Sequence, residues 1–179
     1  MKKKRSNMFE TNSSSVHTIT LDGRAENDLK VERDGYVHLH VRSYGKNYAA
    51  YHGAEDKLMY AILTVCYTHG IWLCWDYDYL EDEEAEDNFE ALQNAESDWD
   101  NCIEELRETE EFQDIEQCVI DVMSTETKPC KGIRFHAGDG YIDHQSQKYD
   151  SLEDFLTSNQ IPDVKEFIFG KAVLRTDCD

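Results

Sequence analysis

The chain has little proline, two residues in 179, no unbroken apolar run of 18 residues and no C-x-x-C pair. Without such a run, no helix spans a membrane. The start, Met1-Lys2-Lys3-Lys4-Arg5, is basic like a signal n-region, but Ser6 to Ser15 is polar where an apolar stretch has to follow, so it does not read as a secretory signal. The six cysteines, at positions 66, 74, 102, 118, 130 and 178, share no tight spacing and read as reduced thiols of a cytoplasmic protein. No phosphate loop, G-x-S-x-G, H-E-x-x-H or zinc-ribbon spacing occurs, so the sequence calls for neither a cofactor nor a metal. Wholesale disorder is excluded too. Hydrophobic residues make up 40% of the chain, with 10 Tyr, 7 Phe and 3 Trp, enough to build a core. The length fits one domain over residues 1–179.

Charge is unevenly placed. Residues 76–126 hold 21 acids and a single base, Arg107, which accounts for the whole net charge of -20; the remainder balances. This window reads as an acidic helical insertion. Its carboxylates repel nucleic acid, yet they can imitate phosphates to a basic groove on another protein. The plainer reading is a solvated helical face. Tyr77, Tyr79, Phe89 and Trp99 interleave with the acids, as aromatics do at interfaces.

Elsewhere, period and punctuation predict mixed elements. Val16 to Leu21 and Tyr36 to Arg42 alternate like strands; in the second, Val37, Leu39 and Val41 face one side, and Tyr36, His38, His40 and Arg42 the other. Asp22-Gly23 and Asp34-Gly35 mark turns. Glu55 to His69 reads as a helix, opened by two acids and stopped by Gly70. Ile71 to Trp75 is wholly apolar and predicts a buried segment. Helical pieces follow near 82–95 and 99–123, the second with a register slip that predicts a break near Thr109. Gly132–His136 and Tyr141–His144, flanking Ala137-Gly138-Asp139-Gly140, predict a hairpin. Ser151 with Asp154 three residues on predicts a short capped helix, and Val164 to Arg175 an apolar strand region around Gly170. No regular βαβ alternation appears, so the class is α+β, with a mixed, mostly antiparallel sheet.

Three clusters can carry chemistry. Asn12, Ser13, Ser14 and Ser15 supply donors for a phosphate beside His17, which titrates near neutrality; a polar terminus is the plainer alternative. Asp143, His144, Gln145 and Ser146 set a carboxylate beside an imidazole, or form a simple loop. Alternating His38 and His40, with Arg42, line a site or a solvated strand face. Two separated histidines with Ser, Asn and Arg donors suit metal-free phosphodiester cleavage. One neutral imidazole takes the 2′-OH proton, a protonated one serves the leaving group, and Ser and Arg donors hold the phosphorane oxygens.

The string Arg5-x-Asn7-x-Phe9-Glu10-Thr11-Asn12-Ser13-Ser14-Ser15-x-His17 resembles the opening of a family of small proteins from phages, prophages and Firmicute genomes. Tyr141-Ile142-Asp143-His144-Gln145-Ser146, Phe167-Ile168-Phe169-Gly170 before Thr176-Asp177, and more weakly Lys57-Leu58-Met59-Tyr60, are similar to that family as well. The C-terminal Thr176-Asp177-Cys178-Asp179 departs from its Gly-Asn-Asp type ending. The resemblance implies a mobile-element setting and an association with counter-defence, including anti-CRISPR proteins that lead to trimming of a guide RNA. It carries over Asn12, Ser13 to Ser15, His17, Asp143, His144 and Gln145 as one shared site.

Two functions follow as expectations. In the first, the protein promotes RNA cleavage like a metal-independent ribonuclease, with His17, His144 and Asp143 catalytic, and Asn12, Ser13, Ser14, Ser15, Gln145, Ser146 and Arg42 binding substrate. In the second, it is a non-enzymatic acidic inhibitor that mimics DNA or RNA through Asp82, Glu83, Glu84, Glu86, Asp87, Glu104, Glu105 and Glu108. Either way the partner is a host defence effector, a CRISPR ribonucleoprotein or its guide RNA, in the host cytoplasm.

Overall fold

The computed structural model describes residues 15–21, 23–44, 49–73, 88–138, 140, 142 and 151–178. The elements run β1 (Ser15–Thr20), β2 (Val37–His40), β3 (Ala49–Tyr51), α1 (Ala54–His69), α2 (Asn88–Glu108), α3 (Glu110–Met123), β4 (Ile133–His136), α4 (Leu152–Ser158), α5 (Val164–Phe169) and β5 (Val173–Cys178). The fold is α+β. One antiparallel sheet has the order β1-β5-β3, and a second, parallel pair joins β2 to β4.

Helix α1 is the hub. Eleven of its sixteen residues are buried, because α3, α4 and α5 all pack on it. Its end is where the sequence places it: Gly70 sits at φ 70° and its N–H closes onto the carbonyls of Cys66 and Tyr67. Its start is helped from afar, since Asp28 Oδ1 accepts from the Glu55 N–H at 2.9 Å. Lys57, on α1, is fully buried, and its ammonium donates to the carbonyls of Gly170 (3.0 Å) and Ala172 (3.2 Å) in the turn between α5 and β5.

The acidic window sends an apolar stripe inward. Leu106, Phe112, Ile115 and Val119 are fully buried in the common core, while Glu104, Glu105 and Glu108 face out. The break at Thr109 is present as expected: its hydroxyl accepts from the Phe112 N–H and donates to the Leu106 carbonyl, ending α2 and capping α3 in one residue. The one base of the window, Arg107, donates to Glu116 at 3.1 Å and to the Ile133 carbonyl at 2.7 Å, fastening both helices to β4.

Four expectations are corrected. Gly132–His136 and residue 142 form no hairpin. β4 pairs in parallel with β2, and Ile142 makes a parallel bridge to Tyr44. Gly138 is there for closeness, since a Cβ on it would overlap the Val41 carbonyl oxygen. Val164–Phe169 is a helix, capped by Asp163, whose carboxylate accepts from the Glu166 N–H at 2.7 Å; the strand begins only at Val173. α2 runs unbroken through 95–99 from Asn88. In the apolar segment after α1, Ile71 and Leu73 are buried but Trp72 is 69% exposed. Ser151 caps α4 as expected, accepting from the Asp154 N–H. Cys66, Cys102, Cys118 and Cys130 are free thiols. Among the described residues no helix is long and apolar enough to cross a membrane.

Candidate functional site

Strand pairings fix the backbone of residues 15–17 and of residue 142, at the described ends of two expected clusters. In the β1–β5 ladder, residue 17 stands opposite Thr176, and β3 places Ala49 opposite the same threonine. Thr176 is fully buried and hydrogen-bonds the Tyr51 hydroxyl. The Tyr51 ring meets Tyr44 edge-on, with centroids 5.0 Å apart. Tyr44 in turn bridges Ile142, the residue immediately before Asp143. A row of touching side chains, Thr176, Tyr51 and Tyr44, thus links the register position of His17 to Ile142. Ser15 is likewise placed by register, opposite Cys178. Asn12, Ser13, Ser14, Asp143, His144, Gln145 and Ser146 lie outside the described residues, as do Asp82, Glu83, Glu84, Glu86 and Asp87.

Charge is concentrated at this row. The Tyr44 hydroxyl donates to the Asp56 carbonyl at 2.9 Å, and the Asp56 carboxylate accepts from Arg42 Nη1 at 2.9 Å. Arg42 also pairs with Glu55 through Nη2. Burial lifts the Asp56 carboxyl above its ordinary value against the pull of Arg42. Burial, then the Asp56 charge, raises the phenols of Tyr44 and Tyr51 as well. Perturbed groups gathered in this way mark functional sites, although structural ion pairs produce them too. Arg42 is already engaged by two carboxylates, so any phosphate it received would have to compete with Glu55 and Asp56.

The polar face of β2 carries a second constellation, and there the structure adds what sequence reading left apart. Parallel register sets His38 beside Arg134 and His40 beside His136. Asp34, a turn residue whose Oδ1 accepts from the Tyr36 N–H, turns its Oδ2 to His38 Nε2 at 3.0 Å and to Arg134 Nη1 at 2.7 Å. His38 Nδ1 lies 2.9 Å from His136 Nε2, and His40 stacks on His136 with centroids 4.6 Å apart. A carboxylate only accepts, so His38 keeps its proton on Nε2. With both rings neutral, His136 then donates through Nε2 and carries its lone pair on Nδ1, the form of a general base. The hydrogen bond from His38 holds the Asp34 carboxyl below its usual value. Burial first, then His40 and His38, push His136 down. Among the described residues no group of three or more His, Cys, Asp or Glu side chains is arranged to hold a metal ion.

Sequence alternation named His38 and His40 but did not join Asp34, Arg134 and His136 to them. The signal lay in Ile133–His136, an alternating run that could have been matched to Val37–His40 position by position. Glu104, Glu105 and Glu108 are exposed along α2, the described part of the expected acidic surface.

No protein-family model, no curated protein and no solved structure matches this chain.

Proposed function

We propose that this chain is a counter-defence protein of phage or prophage type that cleaves RNA without a metal, acting in the host cytoplasm on a guide RNA or its ribonucleoprotein. The observation that carries this reading is the double anchorage of the site row. Residue 17 is in register with Thr176, and Ile142 is bridged to Tyr44, so residue 17 and the residue before Asp143 are each tied to that row. Two imidazoles, His17 and His144, then divide the work. One takes the 2′-OH proton as the oxygen attacks phosphorus; the other protonates the departing 5′-oxygen, leaving a 2′,3′-cyclic phosphate and a 5′-hydroxyl. Asn12, the three serines, Gln145 and Ser146 supply donors to the phosphorane oxygens, and Asp143 orients His144.

The test is incubation of purified protein with end-labelled guide RNA, free and effector-bound, with and without EDTA. Defined products ending in cyclic phosphate, resistant to EDTA and lost in both His17→Ala and His144→Ala, support the reading. If both variants stay fully active, the site is not there.

A second reading rests on one observation, the exposed Glu104, Glu105 and Glu108 beside Asp98 and Asp100 on α2. Such a surface suits a stoichiometric inhibitor that imitates nucleic acid to a basic groove. A complex that weakens steeply with salt, and is lost when these acids and Asp82–Asp87 are neutralised, would select it.

A further inference from the structure

A chain of net charge -20 repels RNA at long range, so an RNA-cleaving site needs a local surface that reverses the field. Residues 128–136 form a basic stretch, with Asp34 the acid set against it and paired to Arg134. They hold Lys128, Lys131, Arg134 and His136 and no acid. β4 lays this segment beside β2, so Arg134 and His136 extend the histidine face of that strand.

That face is graded along its length. Beside one end, between β4 and α2, is a cleft of about 260 Å³ lined by Tyr36, Trp99, Phe135, Asp100, Arg134 and Arg107. The Tyr36 ring is covered by cations: the Arg134 guanidinium sits 4.7 Å from its centroid and the Lys131 ammonium 5.6 Å. Next come His38, His136 and His40. Beyond His40 the same side of the chain reaches Arg42, which is paired with Glu55 and Asp56. From Tyr36 to Arg42 the extended backbone covers roughly 20 Å.

We infer that the outer face of β2 and β4 is a track for single-stranded RNA, which seats one unstacked base in the Tyr36–Trp99 cleft and leads the following backbone past Arg134 and His136 toward His40. This rests on the proposed RNA chemistry for its direction, but the binding stands on the face itself. A single strand is specified because the cleft and the planar Arg134 guanidinium offer stacking surfaces, which a base enters only when it has left a helix. Asp34 accepts from one nitrogen of Arg134, so it orients the fork while the guanidinium's remaining N–H groups turn to phosphate. Asp100 at the cleft margin is an acceptor for an exocyclic amine of the seated base.

The experiment is fluorescence anisotropy of the full chain with a labelled 2′-O-methyl oligonucleotide, which has no attacking hydroxyl and survives any nuclease activity. Wild type binds the single strand more tightly than a duplex of equal length, and binding weakens as salt rises. Tyr36→Ala and Arg134→Ala each weaken it about tenfold, the equivalent of one lost stacked base. Lys131→Ala, at an exposed position, gives a smaller loss with the fold undisturbed. Circular dichroism on each variant separates lost binding from lost structure. Unchanged affinity in all three variants, equal affinity for duplex, or no binding of the single strand at low salt overturns the track. The two proposals fail separately. Cleavage that survives Tyr36→Ala and Arg134→Ala unaltered removes the track and leaves the nuclease; binding as described without any cleavage keeps the track and removes the nuclease.

Discussion

Arg107 and Glu116 divide one residue's backbone hydrogen bonds between them: Glu116 Oε1 accepts from the Ile133 N–H at 2.8 Å, Arg107 Nη2 donates to the Ile133 carbonyl at 2.7 Å, and the two side chains pair at 3.1 Å. Together they imitate a neighbouring strand on the edge of β4 that β2 does not cover. This gives the lone base among 21 acids a structural role, holding the histidine-bearing strand against α2 and α3. Arg107→Ala should destabilise the fold by about 1–3 kcal/mol, the range for leaving partly buried polar groups unpaired. Glu116→Gln keeps an acceptor for the Ile133 N–H and should cost less. Urea unfolding of both variants checks the order, and an equal or reversed ranking refutes the bracket.

Lys57 is buried with its ammonium bound to the Gly170 and Ala172 carbonyls, and among the described residues no carboxylate lies at hydrogen-bond distance from it. Lys57→Met preserves much of the stem but leaves both carbonyls without their donor. A loss of about 2–3 kcal/mol is expected in denaturant unfolding. A neutral outcome would mean that water replaces the lysine there.

His136 should titrate below 6.5, held down first by burial and then by His40 and His38. Because its folded value lies below the unfolded one, its contribution to stability is present above about pH 6.5 and is lost as the pH falls through the folded value. In His40→Ala the midpoint should rise part of the way, since burial remains. NMR titration of the ring protons measures it directly; a midpoint that does not move would show that the stacked imidazole has no electrostatic effect.

Burial pushes the Cys66 thiol up to about 12 from 9.0. Its folded value is raised, so the stability it contributes is complete below pH 9 and is lost as the pH climbs toward 12. The slope of stability against pH between 10 and 11 should be shallower in Cys66→Ala by up to about 1.4 kcal/mol per pH unit. Tyr44 and Tyr51, also raised, keep some slope in the variant. Identical slopes would place the thiol in contact with water.

What could be read from the chain was what a few adjacent residues encode. The alternation of Val37, Leu39 and Val41, the acids and Gly70 bounding α1, the Ser151 cap and the slip at Thr109 each express a period or a cap within one or two turns of backbone. Where neighbouring residues allowed two answers, reading failed. Val164–Phe169 is short and apolar, and its decisive mark was the Asp163-x-x-Glu166 cap rather than the run itself. The glycines after His136 resembled a hairpin turn because a glycine needed for close approach to Val41 looks the same in sequence as one needed to reverse the chain. The site belonged to tertiary structure altogether. A parallel pairing between residues 37–40 and 133–136 has no local turn to announce it, and only that pairing stacks His40 on His136 and sets Arg134 beside His38. In the same way residues 17 and 142 approach one row of tyrosines through ladders to β5 and Tyr44. Spacing along the chain encodes residue types; distance between them is set by which strands find each other.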